Sequence, residues 1–231
     1  MKNIFLPCIL LLSASFGLKA QDACESNYLA FRQGVSFELT NYDKKGKVSS
    51  IQRQKINTVE ATDDGFKANT SMVLSNEKGK SLSEGNYNIE CRNGVVYLDM
   101  SSMLDQRMLE GFKDMEMEIS GNALEFPSNL KPGQTLSDGD INLKAMTGGM
   151  TLMNMNMSIT NRKVESTEIV TTPAGTFECV KISQDSELKS VIKRKFSTVS
   201  WYAIGVGMVK SENMDNKGNV ESSTLLTKFE K

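Results

Sequence analysis

Residues 153 to 159 read Met-Asn-Met-Asn-Met-Ser-Ile, an alternation of apolar and polar side chains with a period of two. Residues 115 to 119, Met-Glu-Met-Glu-Ile, repeat the pattern with glutamates in place of the amides. Successive side chains of a strand point to opposite faces, so each stretch is typical of a half-buried β-strand. We therefore predict two strands whose methionines face an apolar interior.

Turn signals separate stretches of this kind along the chain. Three of them are Asp43-Lys44-Lys45-Gly46, Asn93-Gly94 and Pro173-Ala174-Gly175. Such residues supply the backbone angles that tight turns need, and short strands between turns favour antiparallel hairpins over parallel βαβ units. The predicted fold is all-β, a strongly curved antiparallel sheet or open β-barrel of about ten strands. A β-sandwich is the alternative.

One segment, residues 102 to 112, breaks the alternation. Ser102 followed by Asp105 is typical of the start of a helix, and Met108 and Phe112 recur at four-residue spacing. This pattern predicts one short amphipathic helix of about three turns. Its apolar side would cover a face of the sheet.

The first twenty residues resemble an export signal. Lys2 precedes an apolar run from Ile4 to Phe16, and Ala20 is a small residue at the expected cleavage site. We predict a signal peptide over residues 1–20 and a single β-rich exported domain over residues 25–231. The run is too short to span a bilayer comfortably, and the mature chain is expected to have no transmembrane segment. The expected location is the periplasm or the cell envelope.

Charge and composition exclude several classes of function. Without Lys2 and Lys19 the chain has 25 basic and 28 acidic side chains, which gives no electrostatic basis for binding nucleic acid. The sequence contains no histidine. Histidine-based triads and histidine-ligated zinc or haem are therefore excluded, and no cofactor or metal is predicted.

Three cysteines remain after the signal is removed, namely Cys24, Cys91 and Cys179. An odd number in an oxidising compartment is most simply one disulfide and one free thiol. A bridge from Cys24 to Cys91 is preferred, because it would tether a loose terminus to a strand. Three buried, reduced cysteines are the alternative.

Two stretches carry a resemblance to a known family. Residues 172 to 182 read Thr-Pro-Ala-Gly-Thr-Phe-Glu-Cys-Val-Lys-Ile, and residues 201 to 210 read Trp-Tyr-Ala-Ile-Gly-Val-Gly-Met-Val-Lys. The chain resembles exported bacterial proteins with domain of unknown function 3108, in the branch called TapB-like. The resemblance implies a β-rich envelope protein of Gram-negative bacteria. It implies no established activity and supplies no catalytic residues.

Methionine is unusually abundant, with thirteen residues in the mature chain. Thioethers bind Cu(I), but three alternating methionines on a strand lie too far apart to share one ion without bending. Core packing is the preferred interpretation, because methionine fills irregular apolar space. A third interpretation is a concave surface that accommodates varied apolar ligands.

The resulting functional hypothesis is a non-catalytic envelope protein that binds an apolar ligand, either a lipid or a peptide, on a methionine-lined face. A structural or protein-interaction component of the envelope is the alternative, with another envelope protein as its partner. A carboxylate-dependent hydrolase ranks third, since no catalytic motif is present. The candidate ligand-binding residues are Met108, Phe112, Met117, Met153, Met155 and Met157.

Overall fold

The computed structural model describes Cys24, residues 27–98 and residues 114–231. Within these residues thirteen strands form one antiparallel sheet. In chain order the strands are β1 (Ser36–Asp43), β2 (Val48–Thr62), β3 (Gly65–Ser75), β4 (Ser81–Arg92), β5 (Val95–Leu98), β6 (Glu116–Asn122), β7 (Leu124–Pro127), β8 (Gly139–Thr147), β9 (Met150–Thr172), β10 (Gly175–Lys189), β11 (Lys193–Ala203), β12 (Gly207–Met214) and β13 (Val220–Glu230).

The strand order explains why the sheet curls. Across the sheet it runs β6-β8-β9-β10-β11-β12-β13-β1-β2-β3-β4-β5-β7, so β6 and β7 are the two edges. Only Ala123 separates these edge strands in the chain. The two edges must therefore meet at this residue, and the sheet is nearly closed into a barrel with one seam where no strand ladder forms.

Gly121 permits a close approach of edge strand β6 to its partner β8. Its φ is +144°, and a Cβ atom there would lie 2.1 Å from the carbonyl oxygen of Asp140 on β8. Any larger side chain would push β6 away from its partner strand.

Arg162 bridges the seam from inside. Its side chain is fully buried, and Nη1 donates to the carbonyl oxygens of Glu125 at 3.1 Å and Ser137 at 2.7 Å. The inward turn coincides with an irregular register between β9 and β10 and with a positive φ at Asn161. Burial lowers the pKa of this guanidinium, and the nearby Tyr202 offsets part of the effect.

The main core lies inside the curved sheet. It includes Val96 of β5, Phe126 of β7, Leu143 of β8 and Ile182 of β10, which come from both sides of the seam. Burial of these side chains holds the two edges together where backbone hydrogen bonds do not.

A disulfide joins Cys24 to Cys91, the pair preferred from the sequence, with a sequence separation of 67 residues. The bridge fixes the N-terminal segment against the end of β4. Gly65 is required beside it, because a Cβ atom there would lie 2.9 Å from Cys24 Sγ and 2.1 Å from the Cys91 carbonyl oxygen.

The predicted fold class is confirmed. The structure is an all-β, strongly curved antiparallel sheet, and its strands belong to one sheet instead of the two of a sandwich. Met153 to Met157 lie in β9, and Pro173-Ala174-Gly175 turns the chain from β9 into β10. The predicted signal peptide at residues 1–20 and the predicted helix at residues 102–112 lie outside the described residues.

A thiol count tests the cysteine arrangement. Unfolded, unreduced mature protein should show one titratable thiol, Cys179, and reduced protein should show three. In the folded protein this thiol should react slowly at pH 8, because burial raises the pKa of Cys179 to about 11, and nearby Glu168 and Glu178 add to the increase. Three thiols without reductant would contradict the bridge.

Candidate ligand-binding cavity

A partly open cavity of about 480 Å³ lies within the curve of the sheet. It is about three times the size of an engineered apolar cavity that binds benzene, and it falls in the usual range for small-molecule sites. Strands β1 to β4 form one side of it. The N-terminal segment at Tyr28–Ala30, with Phe126 of β7, Tyr202 of β11 and Met208 of β12, contributes to the rest.

The alternation of side chains along β2 and β3 determines which of their residues line the cavity. Gln52, Gln54 and Ile56 are alternate residues of β2, and Thr70, Met72 and Leu74 are alternate residues of β3. The register pairs Gln54 with Met72 and Ile56 with Thr70, so the two rows lie side by side. The residues between them point to the outer face.

Five uncharged polar residues on three adjacent strands form what we call the polar wall of the cavity. The polar wall consists of Gln52, Gln54, Thr70, Ser83 and Tyr87. Thr70 and Tyr87 are direct partners in the register of β3 and β4, and the Tyr87 hydroxyl donates a hydrogen bond across β3 to Gln54 Oε1. The polar wall is therefore a connected group within a mostly apolar cavity.

Hydrogen bonding within the polar wall is incomplete. The Thr70 hydroxyl is buried, and no polar atom of the described residues partners it with good hydrogen-bond geometry. The Gln52 amide donates to the sulfur of Met72 at 3.0 Å, and a thioether is a weak acceptor. Burial raises the pKa of Tyr87 well above its ordinary value, and the Thr70 hydroxyl, which lies close enough to donate to an ionised Tyr87 oxygen although its geometry toward the neutral hydroxyl is poor, offsets part of the increase. The Tyr87 hydroxyl is therefore a neutral hydrogen-bonding group.

Aromatic residues form the side of the cavity nearest the seam. The rings of Phe126 and Tyr202 are tilted against each other with their centroids 5.2 Å apart. The guanidinium of Arg162 lies 4.9 Å from the Phe126 centroid and does not line the cavity itself. Burial raises the pKa of Tyr202, while Arg162 and the Ser200 side chain lower it in part.

Asn27 holds the N-terminal segment over the cavity. Its buried side-chain amide donates to the carbonyl oxygens of Gly94 at 2.9 Å and Phe126 at 3.2 Å. The disulfide of neighbouring Cys24 fixes the same segment to β4. Tyr28 and Leu29 are thereby positioned as part of the cavity lining.

The candidate methionines of the described residues do not line this cavity. Met153, Met155 and Met157 are half-buried and pair in register with Ala145, Leu143 and Ile141 of β8. With Met117 they pack against the main core, and so do Tyr87, Leu98 and Tyr202, which line the cavity. Met108 and Phe112 lie outside the described residues. Ligand binding on the methionine face therefore stays a prediction.

Sequence reasoning missed the residues that do line the cavity. On β2 the sequence Gln52-Arg53-Gln54-Lys55 puts polar side chains on both faces, so no alternation marks the inner one. The one signal present is that the row Gln52, Gln54 continues at the same spacing to the apolar residue Ile56.

The acidic side chains of the described residues form neither a candidate metal site nor a candidate general acid. They contain no group of three or more acidic or cysteine side chains arranged to hold a metal ion. Every carboxyl group there whose pKa departs from its ordinary value has a lowered pKa. Burial raises the pKa of Glu38, for example, but Thr227, Lys228 and Arg53 outweigh that effect. A carboxyl that acts as a general acid needs the opposite, a raised pKa.

The fold and the site define a class of protein built on a curved, nearly closed antiparallel sheet with a partly open cavity in its curve. The chain belongs to the DUF3108-like family, whose model matches residues 32–226. No curated protein matches the sequence. In the described part of the chain no helix is long and apolar enough to cross a membrane.

Two solved structures share the fold. A presumed exported protein with a YmcC-like fold from Bacteroides fragilis NCTC 9343 is 21% identical, with a TM-score of 0.72 over 89% of this chain and 100% of that chain. A presumed lipoprotein from Parabacteroides distasonis ATCC 8503 is 22% identical, with a TM-score of 0.73 over 89% of this chain and 99% of that chain. At these identities the likeness shows the fold alone.

Replacing Thr70 with valine tests whether its hydroxyl forms a hydrogen bond in the folded protein. Because this buried group lacks a partner, Thr70→Val should leave the free energy of unfolding unchanged or raise it by up to about 1 kcal/mol. Thr198→Val is the matched control, because Thr198 is also a buried strand residue and its hydroxyl donates to Asn213 Oδ1 at 2.9 Å. The control should lose about 1 kcal/mol in denaturant titration. An equal loss in both variants would show that Thr70 is hydrogen-bonded.

Proposed function

We propose that this protein is an exported, non-catalytic component of the bacterial cell envelope that binds an apolar or amphiphilic ligand in the internal cavity. The cavity itself is the observation that carries the proposal. A partly open cavity of about 480 Å³ with a mostly apolar lining leaves apolar surface in contact with water, and burying that surface against a ligand is favourable. A ligand of roughly eighteen non-hydrogen atoms would fill it, by scaling from the benzene-sized cavity.

A lipid chain suits the shape and chemistry of the site better than a peptide. Most lining side chains are aliphatic or aromatic, including Phe37, Leu39, Leu98 and Val206. A peptide backbone would need hydrogen-bond partners along its whole length. The described lining supplies polar side chains mainly on the polar wall.

Three observations support export to the envelope. Residues 1–20 have the composition of a signal peptide. The disulfide between Cys24 and Cys91 suits an oxidising compartment. The two structures with the same fold come from proteins described as exported or as a lipoprotein.

An interaction role in the envelope is the second candidate. At the turn between β10 and β11, Val191 and Ile192 are exposed by 102% and 75%. Lys193, Arg194 and Lys195 follow them directly. Exposed aliphatic side chains at a hairpin tip are suited to contact with another surface.

Filling the cavity tests the ligand-binding proposal. Leu74 lines the cavity and belongs to none of the buried core clusters of the described residues, so Leu74→Trp should occupy ligand space while the protein stays folded. We expect the variant to bind the uncharged fluorophore N-phenyl-1-naphthylamine at least tenfold more weakly than the wild type in a fluorescence titration.

The matched control is Val73→Trp. Val73 is the neighbouring residue of β3 and points to the other face of the sheet, so its replacement should leave fluorophore binding within about twofold. The proposal fails if the wild-type protein does not bind the fluorophore. It also fails if both tryptophan variants bind it as well as the wild type does.

A further inference from the structure

We propose that the cavity selects an amphiphile whose polar group is uncharged, and that the polar wall binds this group through hydrogen bonds. This inference rests on the proposed ligand-binding function and deepens it. It names the chemical class of the ligand, a long-chain alcohol, ester or amide, and assigns Gln52 and Thr70 to its recognition.

The first argument is the charge of the lining. Among the described residues that line the cavity there is no aspartate, glutamate, lysine or arginine. An ionised head group that left water here would have no opposite charge to compensate its lost hydration, which is a large penalty. A neutral head group escapes that penalty.

Arg162 is the nearest buried cation in the described interior, and its position does not suit an anionic ligand. Nη1 donates to the carbonyl oxygens of Glu125 and Ser137 at the seam, whereas Nε and Nη2 are buried without a partner among the described residues. None of these three nitrogens belongs to a residue of the cavity lining. The Phe126 ring lies against the guanidinium and is itself part of the cavity lining. A carboxylate in the cavity would therefore meet an aromatic ring before it met Arg162.

The second argument is how the polar groups are distributed. The polar wall is confined to adjacent strands β2, β3 and β4, where Thr70 is the register partner of Tyr87 and Leu74 that of Ser83. Apolar surface elsewhere in the cavity comes from Leu39 of β1, from Met208 of β12 and from Val206 in the turn between β11 and β12. The cavity is thus amphipathic, with a place for a tail and a place for a head group.

The third argument is unused hydrogen-bonding capacity. The Thr70 hydroxyl is buried without a partner among the described residues, and the Gln52 amide has only the Met72 sulfur as acceptor. Buried polar groups in folded proteins are normally satisfied, so the unpartnered Thr70 hydroxyl at the cavity indicates a missing ligand group, to which the half-buried Gln52 amide can also donate. A hydroxyl can donate to one of these groups and accept from the other.

The test compares two probes with the same chain, dodecan-1-ol and dodecanoate, at pH 8, where dodecanoate is ionised. Each probe displaces N-phenyl-1-naphthylamine from delipidated protein. We expect dodecan-1-ol to bind at least tenfold more tightly than dodecanoate. Equal affinity for the two probes would overturn the inference, because a buried carboxylate requires a cation that the lining lacks.

A double variant assigns the recognition to the polar wall. Thr70→Val with Gln52→Leu removes the two underused groups and leaves the Tyr87–Gln54 hydrogen bond in place. Dodecan-1-ol affinity should fall about tenfold, as expected for two lost hydrogen bonds, while fluorophore affinity stays within about twofold. Thr198→Val, which lies away from the cavity lining, is the control and should change neither affinity.

The outcomes separate this inference from the proposed function. If the fluorophore binds and depends on Leu74, but dodecan-1-ol affinity is unchanged in the double variant, recognition by the polar wall is wrong and the cavity is still a ligand site. If the wild-type protein binds no fluorophore, both proposals fail.

Discussion

The meeting of the two sheet edges at Ala123 is the constraint on which the rest of the structure depends. Edge strands β6 and β7 follow each other in the chain, so they must lie close together in space. The sheet, with its twelve antiparallel strand pairings, must therefore curve until its two edges are adjacent. The seam itself has no ladder. It is held by the hydrogen bonds of Arg162 to two carbonyl groups and by the apolar core that both edges bury.

This closure also explains why the interior is filled unevenly. Strands β8, β9 and β10 contribute Ile141, Leu143, Ile159 and Ile182 to a packed core near the seam. Across the interior, β2 and β3 contribute glutamines and a threonine, which cannot pack in the same way without hydrogen-bond partners. The cavity lies where the inward side chains change from aliphatic to polar. Fold and candidate function therefore have the same origin, the side-chain pattern of the inner face.

Sequence patterns were sufficient for the fold wherever the two faces of a strand differ in polarity. Met153 to Met157 and the Pro173-Ala174-Gly175 turn are examples, and both were predicted from local rules. The cavity could not be predicted in this way, because Gln52 and Gln54 point inward while Arg53 and Lys55 beside them are polar as well. Which row faces inside depends on the register with β3. The inward turn of Arg162 likewise depends on an irregular pairing with β10 that no local pattern marks.

The central claim is that the interior of this sheet holds an uncharged lipid-like molecule. Native and denaturing mass spectrometry of protein purified from its own organism test this most directly. The account predicts a native mass that exceeds the denatured mass by one molecule of a few hundred daltons, which organic solvent extracts and which carries no ionisable group. Equal masses, or a released metal ion or acidic metabolite, would contradict it.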